Sequence, residues 1–225
     1  MGNVRLMSIG LPRASDVSLL RREYMQRALN EADLSPDPFV QFSLWFHEAL
    51  DCRAIAEVNA MVLSTVSADG RPHARYVLLK GFDTEGFIFF TNYASEKGSD
   101  LAAHPYAALT FGWIEQERQV RIEGAVSEMP RSAVEAYFQT RPRGSRLGAW
   151  ASEQSTVISS REILEARLAE ADAHFPNDVP PPESWGGYRV APDQFEFWQG
   201  RTNRLHDRLR YRKDGASWII ERLAP

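Results

Sequence analysis

Three short stretches carry side chains suited to holding an anion. In "YFQTRPRGS" (137–145), Tyr137 and Arg141 are four residues apart and therefore neighbours on a helix face. Pro142 biases Arg141 out of helical backbone, which predicts a helix end there and brings Ser145 in from the following loop. A phenol, a guanidinium and a hydroxyl can converge on one phosphate, with the arginine supplying two parallel hydrogen bonds. The alternative is an ordinary helix end with Tyr137 packed and Arg141 solvated. In "TNYASEKGSD" (91–100), Thr91, Ser95 and Lys97 share a loop with Gly98, where hydroxyls, an ammonium and exposed amides can cradle a phosphate. "RYVLLK" (75–80) sets Arg75 and Lys80 five residues apart on one strand. Period two points them to opposite faces, which fits two different roles or simply a strand with charged ends.

A fourth stretch, "RTNRLHDRLRYRK" (201–213), holds six Arg or Lys residues with His206 and Asp207. It can be read as a nucleic-acid strip, a solvated strand face or part of an anion pocket. The formal net charge is -4, so the whole molecule does not attract a polyanion, and a local cluster suits a small phosphorylated ligand better. Arg204 and His206 flank Leu205 and can share one face of an extended segment; Arg208 continues that face, and Asp207 has the opposite alternation and can anchor the segment.

Other chemistries lack their parts. There is no HExxH, Walker A, GxGxxG or GxSxG pattern. The five histidines are scattered without carboxylates at ligand spacing, so no metal site is expected. One cysteine, Cys52, leaves no internal disulfide and no cysteine zinc cluster. No run approaches the roughly 18–20 apolar residues of a membrane helix, and the first residues lack a secretory pattern. A cytoplasmic protein is the expectation, with no membrane and no nucleic-acid partner.

The elements that must position these groups change period along the chain. Helical spacing covers 17–32, is broken by "SPDP" (35–38), and resumes from Phe39 through 56. Strands are predicted at 60–66, 73–80, 86–92, 106–114 and 118–129. The second and third of these should pair across "GFDTEG", and the fourth with the fifth. Five strands in about 70 residues indicate an antiparallel barrel or sandwich rather than βαβ units. Helices follow at 131–140 and about 159–173, the latter with Ile163, Leu164, Leu168 and Ala171 on a shared face. A proline-rich extended stretch leads to "QFEFWQ", "RLRYRK" and "SWIIERL", the last two joined as a hairpin by "DG" at 214–215.

Eight segments, in order, resemble the pyridoxamine 5'-phosphate oxidase family: "RYVLLKGFD", "FFTNYASEKG", "ERQVRIEG", "YFQTRPRGS", "GAWASEQS", "WGGYRV", "EFWQG" and "RLHDR". "LLRREYMQRAL" (19–29) is similar to the family's start. The resemblance covers most of 18–225. It implies a mainly β fold with flanking helices (α+β), an FMN-binding split barrel over 56–225 carrying the C-terminal dimerisation and substrate region. Residues 1–55 would be an N-terminal helical segment and active-site lid. It implies a homodimer with FMN at the interface. The activity implied is FMN-dependent oxidation of pyridoxamine or pyridoxine 5'-phosphate to pyridoxal 5'-phosphate, with O2 reduced to hydrogen peroxide.

Carried over residue by residue, the resemblance gives FMN the residues Arg75, Tyr76, Val77, Leu78, Leu79, Lys80, Phe90, Thr91, Lys97, Gln119, Gln154, Ser155, Trp198 and Arg208. It gives the substrate phosphate Lys80, Tyr137, Arg141 and Ser145, and the substrate ring the catalytic pair Arg204 and His206. Arg21 and Tyr24 match a segment that closes over the site. Two positions depart from the family: Glu96 stands where a basic residue is common, and is expected to turn outward and leave the FMN phosphate to Lys97. Arg146 stands where many members have Gln and is expected to add local positive charge. The rivals are a flavin split barrel acting on another substrate, a non-catalytic FMN or pyridoxal phosphate carrier, and a nucleic-acid binder resting on 201–213 alone.

Overall fold

The computed structural model describes Tyr24 and residues 27–225. The predicted helix over 17–32 falls largely outside the described residues. Its described end is not α-helical: 27–30 have no regular structure and Glu31–Asp33 forms a 3-10 turn. Helix α1 spans Pro38–Asp51. Its start lies inside the stretch expected to break it, because Asp37 caps the helix, accepting from the Phe39 amide at 2.8 Å, and Pro38 takes the first turn, where no amide is needed. Phe42, Trp45 and Ala49, spaced i, i+3, i+7, are buried. The helix ends at Asp51, short of the expected 56.

Nine strands among the described residues form one sheet. They are β1 (Ala60–Val66), β2 (Pro72–Leu78), β3 (Gly81–Asp83), β4 (Gly86–Asn92), β5 (Tyr106–Trp113), β6 (Arg118–Glu128), β7 (Trp185–Gln199), β8 (Asp207–Asp214) and β9 (Ser217–Arg222). The order is β2-β1-β5-β6-β7-β4-β3, with β8 on β7 and β9 on β8. Every pairing is antiparallel. β2 and β3 end the main path yet follow one another in the chain through Leu79 and Lys80, so the sheet must curl upon itself. At that bend the Leu79 amide donates to Asn59 O at 2.9 Å and the Lys80 amide to Ile88 O at 2.8 Å.

This order corrects the expected pairing of 73–80 with 86–92: β4 lies between β3 and β7. The three-residue β3 takes the hairpin position, since Asp83 closes its turn by accepting from the amides of Glu85 and Gly86 at 2.8 and 3.1 Å. β7 runs from "WGGYRV" into "EFWQ", far longer than the expected strand, and borders β6, β4 and β8. Its register with β6 shifts at Gly124, where a Cβ would meet Ala191 O at 2.1 Å. The expected "DG" hairpin forms between β8 and β9.

Alternation along β6 buries Val120, Ile122 and Val126. With Met61, Leu63, Phe87, Phe89, Leu109, Phe111, Phe195 and Phe197 they fill the barrel. Phe42 of α1 enters the same core, edge-on to Phe87 and Phe111 at 4.8 and 5.1 Å. Outside it lie α2 (Glu96–Ala103), α3 (Arg131–Gln139), α4 (Arg143–Ala151) and α5 (Arg161–His174). Val134, Phe138, Leu147, Ala171, Val179 and Trp185 form a second small core there. Of the expected apolar face of α5, Ala171 is buried, Ile163 and Leu164 are half-buried, and Leu168 is 40% exposed. Helix α4 replaces the loop expected after Pro142, so Ser145 sits in its first turn. No described helix is long and apolar enough to cross a membrane.

Candidate functional site

Between β2, β4 and the helical layer lies a cleft of about 770 Å³. Arg75, Tyr76, Val77 and Leu78 come to it from β2, Lys80 from the bend, and Phe90 and Thr91 from β4. Lys97 enters from α2, Tyr137 and Arg141 from α3 and the residues after it, Ser145 from α4, and Gln154 from the segment beyond. Twelve of the expected side chains thus share one wall system. Asn92, Gly148, Ala149, Ser152 and Trp185 line it too and were not singled out in the sequence.

One part of the cleft is built around Arg75. Its Nη1 donates to Thr65 Oγ1 at 2.6 Å, and its Nη2 lies 3.7 Å from Asp100 and 3.6 Å from Glu96. Asp100 is buried and accepts from Thr65 Oγ1 at 2.6 Å and from His73 Nδ1 at 2.9 Å. Burial disfavours its charge, yet the hydrogen bonds from Thr65 and His73 and the nearby Arg75 outweigh this and hold the carboxyl below its ordinary range. Lys97 Nζ donates to Gln154 Oε1 at 2.8 Å and Ser95 Oγ at 3.2 Å. Burial first, then the charge of Arg75, lowers its pKa, with Glu96 opposing.

The stretch "TNYASEKGSD" is not the open loop expected. Ser95 is fully buried and caps α2, accepting from the Gly98 amide, while Lys97 and Gly98 are helical. Gly98 allows close passage of the preceding turn, since a Cβ would meet Tyr93 O at 2.0 Å. The amides of Ala94, Ser95, Glu96 and Gly98 are used internally, and the charge is offered by side chains. Glu96, expected to turn outward, is ion-paired with Arg75 instead.

A second part is aromatic. Phe90 stacks on Tyr137 at 4.0 Å and on Trp185 at 5.4 Å, within 11° of parallel in both cases. The Arg141 guanidinium lies 4.8 Å from the Trp185 ring centre and 5.3 Å from that of Phe138. Its Nη1 is buried and has no hydrogen-bond partner. Burial lowers its pKa, with Tyr137 opposing. An unpartnered buried guanidinium nitrogen is costly unless an anion completes it, so these residues fit a phosphate. Arg146 does not add to this charge as expected, because its Nη1 donates to Asp178 at 2.8 Å and to Gln139 at 2.5 Å.

The other expected residues lie outside this cleft. Leu79 is in the barrel core. Ser155, in a left-handed backbone conformation, accepts from the Glu96 amide at 3.2 Å. Gln119 faces Trp198 across β6 and β7, and Trp198 faces Arg208 across β7 and β8. The His206 ring is 4.7 Å from Trp198, and Tyr24 packs edge-on to both, at 5.6 Å from His206 and 5.7 Å from Trp198. Arg21 lies outside the described residues.

Arg204 and His206 do not alternate along an extended strand. Thr202–Arg204 is a 3-10 turn with left-handed backbone at Asn203 and Arg204, and β8 begins only at Asp207. His206 Nδ1 accepts from the Arg201 amide at 3.1 Å, which leaves the hydrogen of the neutral ring on Nε2. Burial, then the charge of Arg204, lowers the His206 pKa against the pull of Asp207. Asp207 anchors the segment, accepting from the Leu29 amide, Arg201 and Arg222 at 3.0, 3.2 and 2.8 Å. Arg208 is held by Glu196 at 2.8 and 3.1 Å and does not continue a free face. Arg210 and Arg212 both pair with Glu221. The basic strip is therefore largely neutralised by its neighbours.

Comparison with known proteins gives two family matches. Residues 47–175 match the model described as pyridoxamine 5'-phosphate oxidase, and residues 185–225 the one described as the pyridoxine 5'-phosphate oxidase C-terminal dimerisation region. A pyridoxine/pyridoxamine 5'-phosphate oxidase of Burkholderia multivorans is 59% identical over 92% of this chain and 97% of its own. One from Acaryochloris marina is 56% identical over 97% and 100%. Among solved structures, PhzG from Burkholderia lata, in complex with tetrahydrophenazine-1-carboxylic acid, is 32% identical with a TM-score of 0.82, covering 88% of this chain and 98% of its own. A pyridoxamine 5'-phosphate oxidase-related, FMN binding protein from Nostoc punctiforme shares the fold at 20% identity and a TM-score of 0.68, covering 85% and 100%.

Proposed function

The chain belongs to the pyridoxamine 5'-phosphate oxidase family, and from that membership we propose that it oxidises pyridoxamine or pyridoxine 5'-phosphate to pyridoxal 5'-phosphate with FMN as cofactor. The observation that carries this reading is a single cleft with two cationic parts. Arg75 and Lys97 make one, and Arg141, with an unfilled buried nitrogen, anchors the other. Arg75 lies within β2 and Lys80 at the bend beyond it, so the two cations enter the cleft from different parts of its wall. Two separate phosphates, one on the flavin and one on the substrate, fit such a cleft better than one.

In this reading Arg75, Lys97, Thr91 and Gln154 hold the flavin's phosphate end, and the Phe90–Tyr137–Trp185 slab shapes the cavity beside it. Lys80, Tyr137, Arg141 and Ser145 hold the substrate phosphate away from its reacting carbon. Bound FMN supplies the two-electron chemistry, accepting a hydride equivalent from the substrate and passing the electrons to O2. The balance is pyridoxine 5'-phosphate plus O2 giving the aldehyde and H2O2; the amine substrate also consumes one water and releases ammonia. The protein's own contribution is placement, which can remove several kcal/mol from a barrier.

Arg204, His206, Trp198, Gln119 and Arg208 sit outside the cleft in their own chain. A homodimer would bring this group to the cleft of a second copy, and the match of 185–225 to a dimerisation region supports that assembly. Exposed apolar side chains beside each group, Tyr76 at the cleft and Leu205 next to His206, are consistent with burial there. Arg204 and the Nε2 hydrogen of His206 would then contact the substrate's polar groups, and Tyr24 would cover them.

The test is anaerobic mixing of the FMN-loaded protein with pyridoxamine 5'-phosphate, followed by air. Bleaching of the flavin, its recovery, and formation of pyridoxal 5'-phosphate are expected; a flavin that stays oxidised with either phosphorylated substrate rejects the reading. The similarity to PhzG makes a tricyclic carboxylate the one alternative substrate worth including. The higher identity of the named B6 oxidases favours the phosphorylated pyridine.

A further inference from the structure

Resting on the reading of Arg75 and Lys97 as the seat of the flavin phosphate, we propose that the two carboxylates flanking Arg75 act on that seat in opposite senses. Asp100 is the fixed anchor that aims the guanidinium. Glu96 is a displaceable counter-ion that competes with the ligand phosphate for it.

Glu96 and Asp100 are four residues apart on α2 and share a helix face. Both approach the same nitrogen of Arg75, at 3.6 and 3.7 Å. Their surroundings differ. The Asp100 side chain is only 5% exposed and is tied by Thr65 and His73, while Thr65 in turn accepts from Arg75. Moving Asp100 breaks this linked set, so the set fixes where the guanidinium points. Glu96, like Asp100, meets Arg75 beyond hydrogen-bond length, but its side chain is 59% exposed rather than buried. Such exposed pairs are weak, and solvent is available to receive the carboxylate when it leaves.

Charge arithmetic gives the consequence. Arg75 and Lys97 contribute two positive charges, and Glu96 and Asp100 two negative ones, so the seat offers no net charge to an arriving dianion. Displacing Glu96 restores one. Lys97 stays in place through Ser95 and Gln154. Glu96 is thus an affinity-setting residue, and Asp100 a positioning residue acting through Arg75.

The experiment titrates flavin-stripped wild type, Glu96→Gln and Asp100→Asn with FMN and with riboflavin, which lacks the phosphate, by quenching of flavin fluorescence. Glu96→Gln should bind FMN about fourfold more tightly, with riboflavin unchanged and the gain shrinking at high salt. Asp100→Asn should bind FMN about tenfold more weakly, again with riboflavin unchanged. An unchanged or reduced FMN-to-riboflavin ratio in Glu96→Gln overturns the proposal, as does tighter FMN binding in Asp100→Asn, which would mean both carboxylates act only as charge. If the buried substitution loosens the fold, both flavins weaken together and the Glu96→Gln result alone decides. Wild type that binds no FMN would instead reject the cofactor reading, and this proposal with it.

Discussion

Two regions of the molecule are rich in arginine, and they treat it oppositely. On β6 to β9 the guanidiniums are matched: Arg208 and Arg121 with Glu196, Arg210 and Arg212 with Glu221, Arg222 with Asp207 and Glu31. In the cleft, Arg141 lies on two aromatic rings with a buried nitrogen unfilled. The C-terminal strip has the higher count of cations, but the cleft has the unmet demand. Arg146 and Arg167 also hold a buried nitrogen unfilled, but each is paired with an acid, Asp178 and Glu153. What marks the cleft is a buried guanidinium with no carboxylate beside it among the described residues, which is costly to keep.

Removing a charge from each region should therefore have opposite results on folding. Glu196 is buried and serves two arginines. Glu196→Ala should cost about 2 kcal/mol, since it removes the charged acceptor of Arg208 while Arg121 keeps Glu123; urea unfolding of the apoprotein measures it. Arg141→Ala should leave the same unfolding curve unmoved or shifted toward greater stability. Equal losses in the two variants would erase the distinction between a matched and a waiting arginine.

Function should reverse that order. Arg141→Ala should raise KM for the phosphorylated substrate about thirtyfold, the equivalent of roughly 2 kcal/mol for one charge-assisted contact, with FMN still bound. Unchanged saturation would remove Arg141 from the substrate phosphate. Arg204→Ala, at the opposite group of residues, should slow flavin reduction about tenfold in a single turnover, or about 1.4 kcal/mol of placement. A normal reduction rate would detach Arg204 from the reacting end.

The contrast between the regions was only partly legible in the sequence. Period-two runs place β1 and β4 at their observed bounds, and alternation through Val120 and Ile122 gives β6 its buried face. Elements defined by punctuation were harder. Pro142 reads as a stop after Arg141, yet it is also the residue from which α4 starts. The three residues of β3 are too few to carry a period. Tyr137, Arg141 and Ser145 could be named from type and spacing, and the flavin set from resemblance. The pairing that separates a waiting arginine from a satisfied one could not. Thr65 meets Asp100 across 35 positions and Glu196 meets Arg208 across a strand return; such contacts exist only once the sheet has closed. The Thr91, Ser95 and Lys97 cradle was the local clue to the Arg75 seat, but with 91–100 read as a loop the helical spacing of Glu96 and Asp100 went unseen.

The smallest expected effect concerns His206, where the two descriptions of the C-terminal strip, neutralised surface or poised group, can be separated by titration. Burial and the Arg204 charge hold its imidazole pKa below the ordinary 6.5. The folded protein therefore binds fewer protons at this site than the unfolded chain as pH falls through 6.5, and stability must decline over that interval and level off only below the folded pKa. Arg204→Gln removes one of the two depressing causes, so the His206 ring resonances, followed by NMR, should titrate at higher pH than in wild type, and the stability decline should be smaller. Burial remains in that variant, so the pKa should rise without reaching that of a free histidine. A titration that does not move with Arg204→Gln would mean that the Arg204 charge is not felt at the ring, and the pair could not then act together on one substrate.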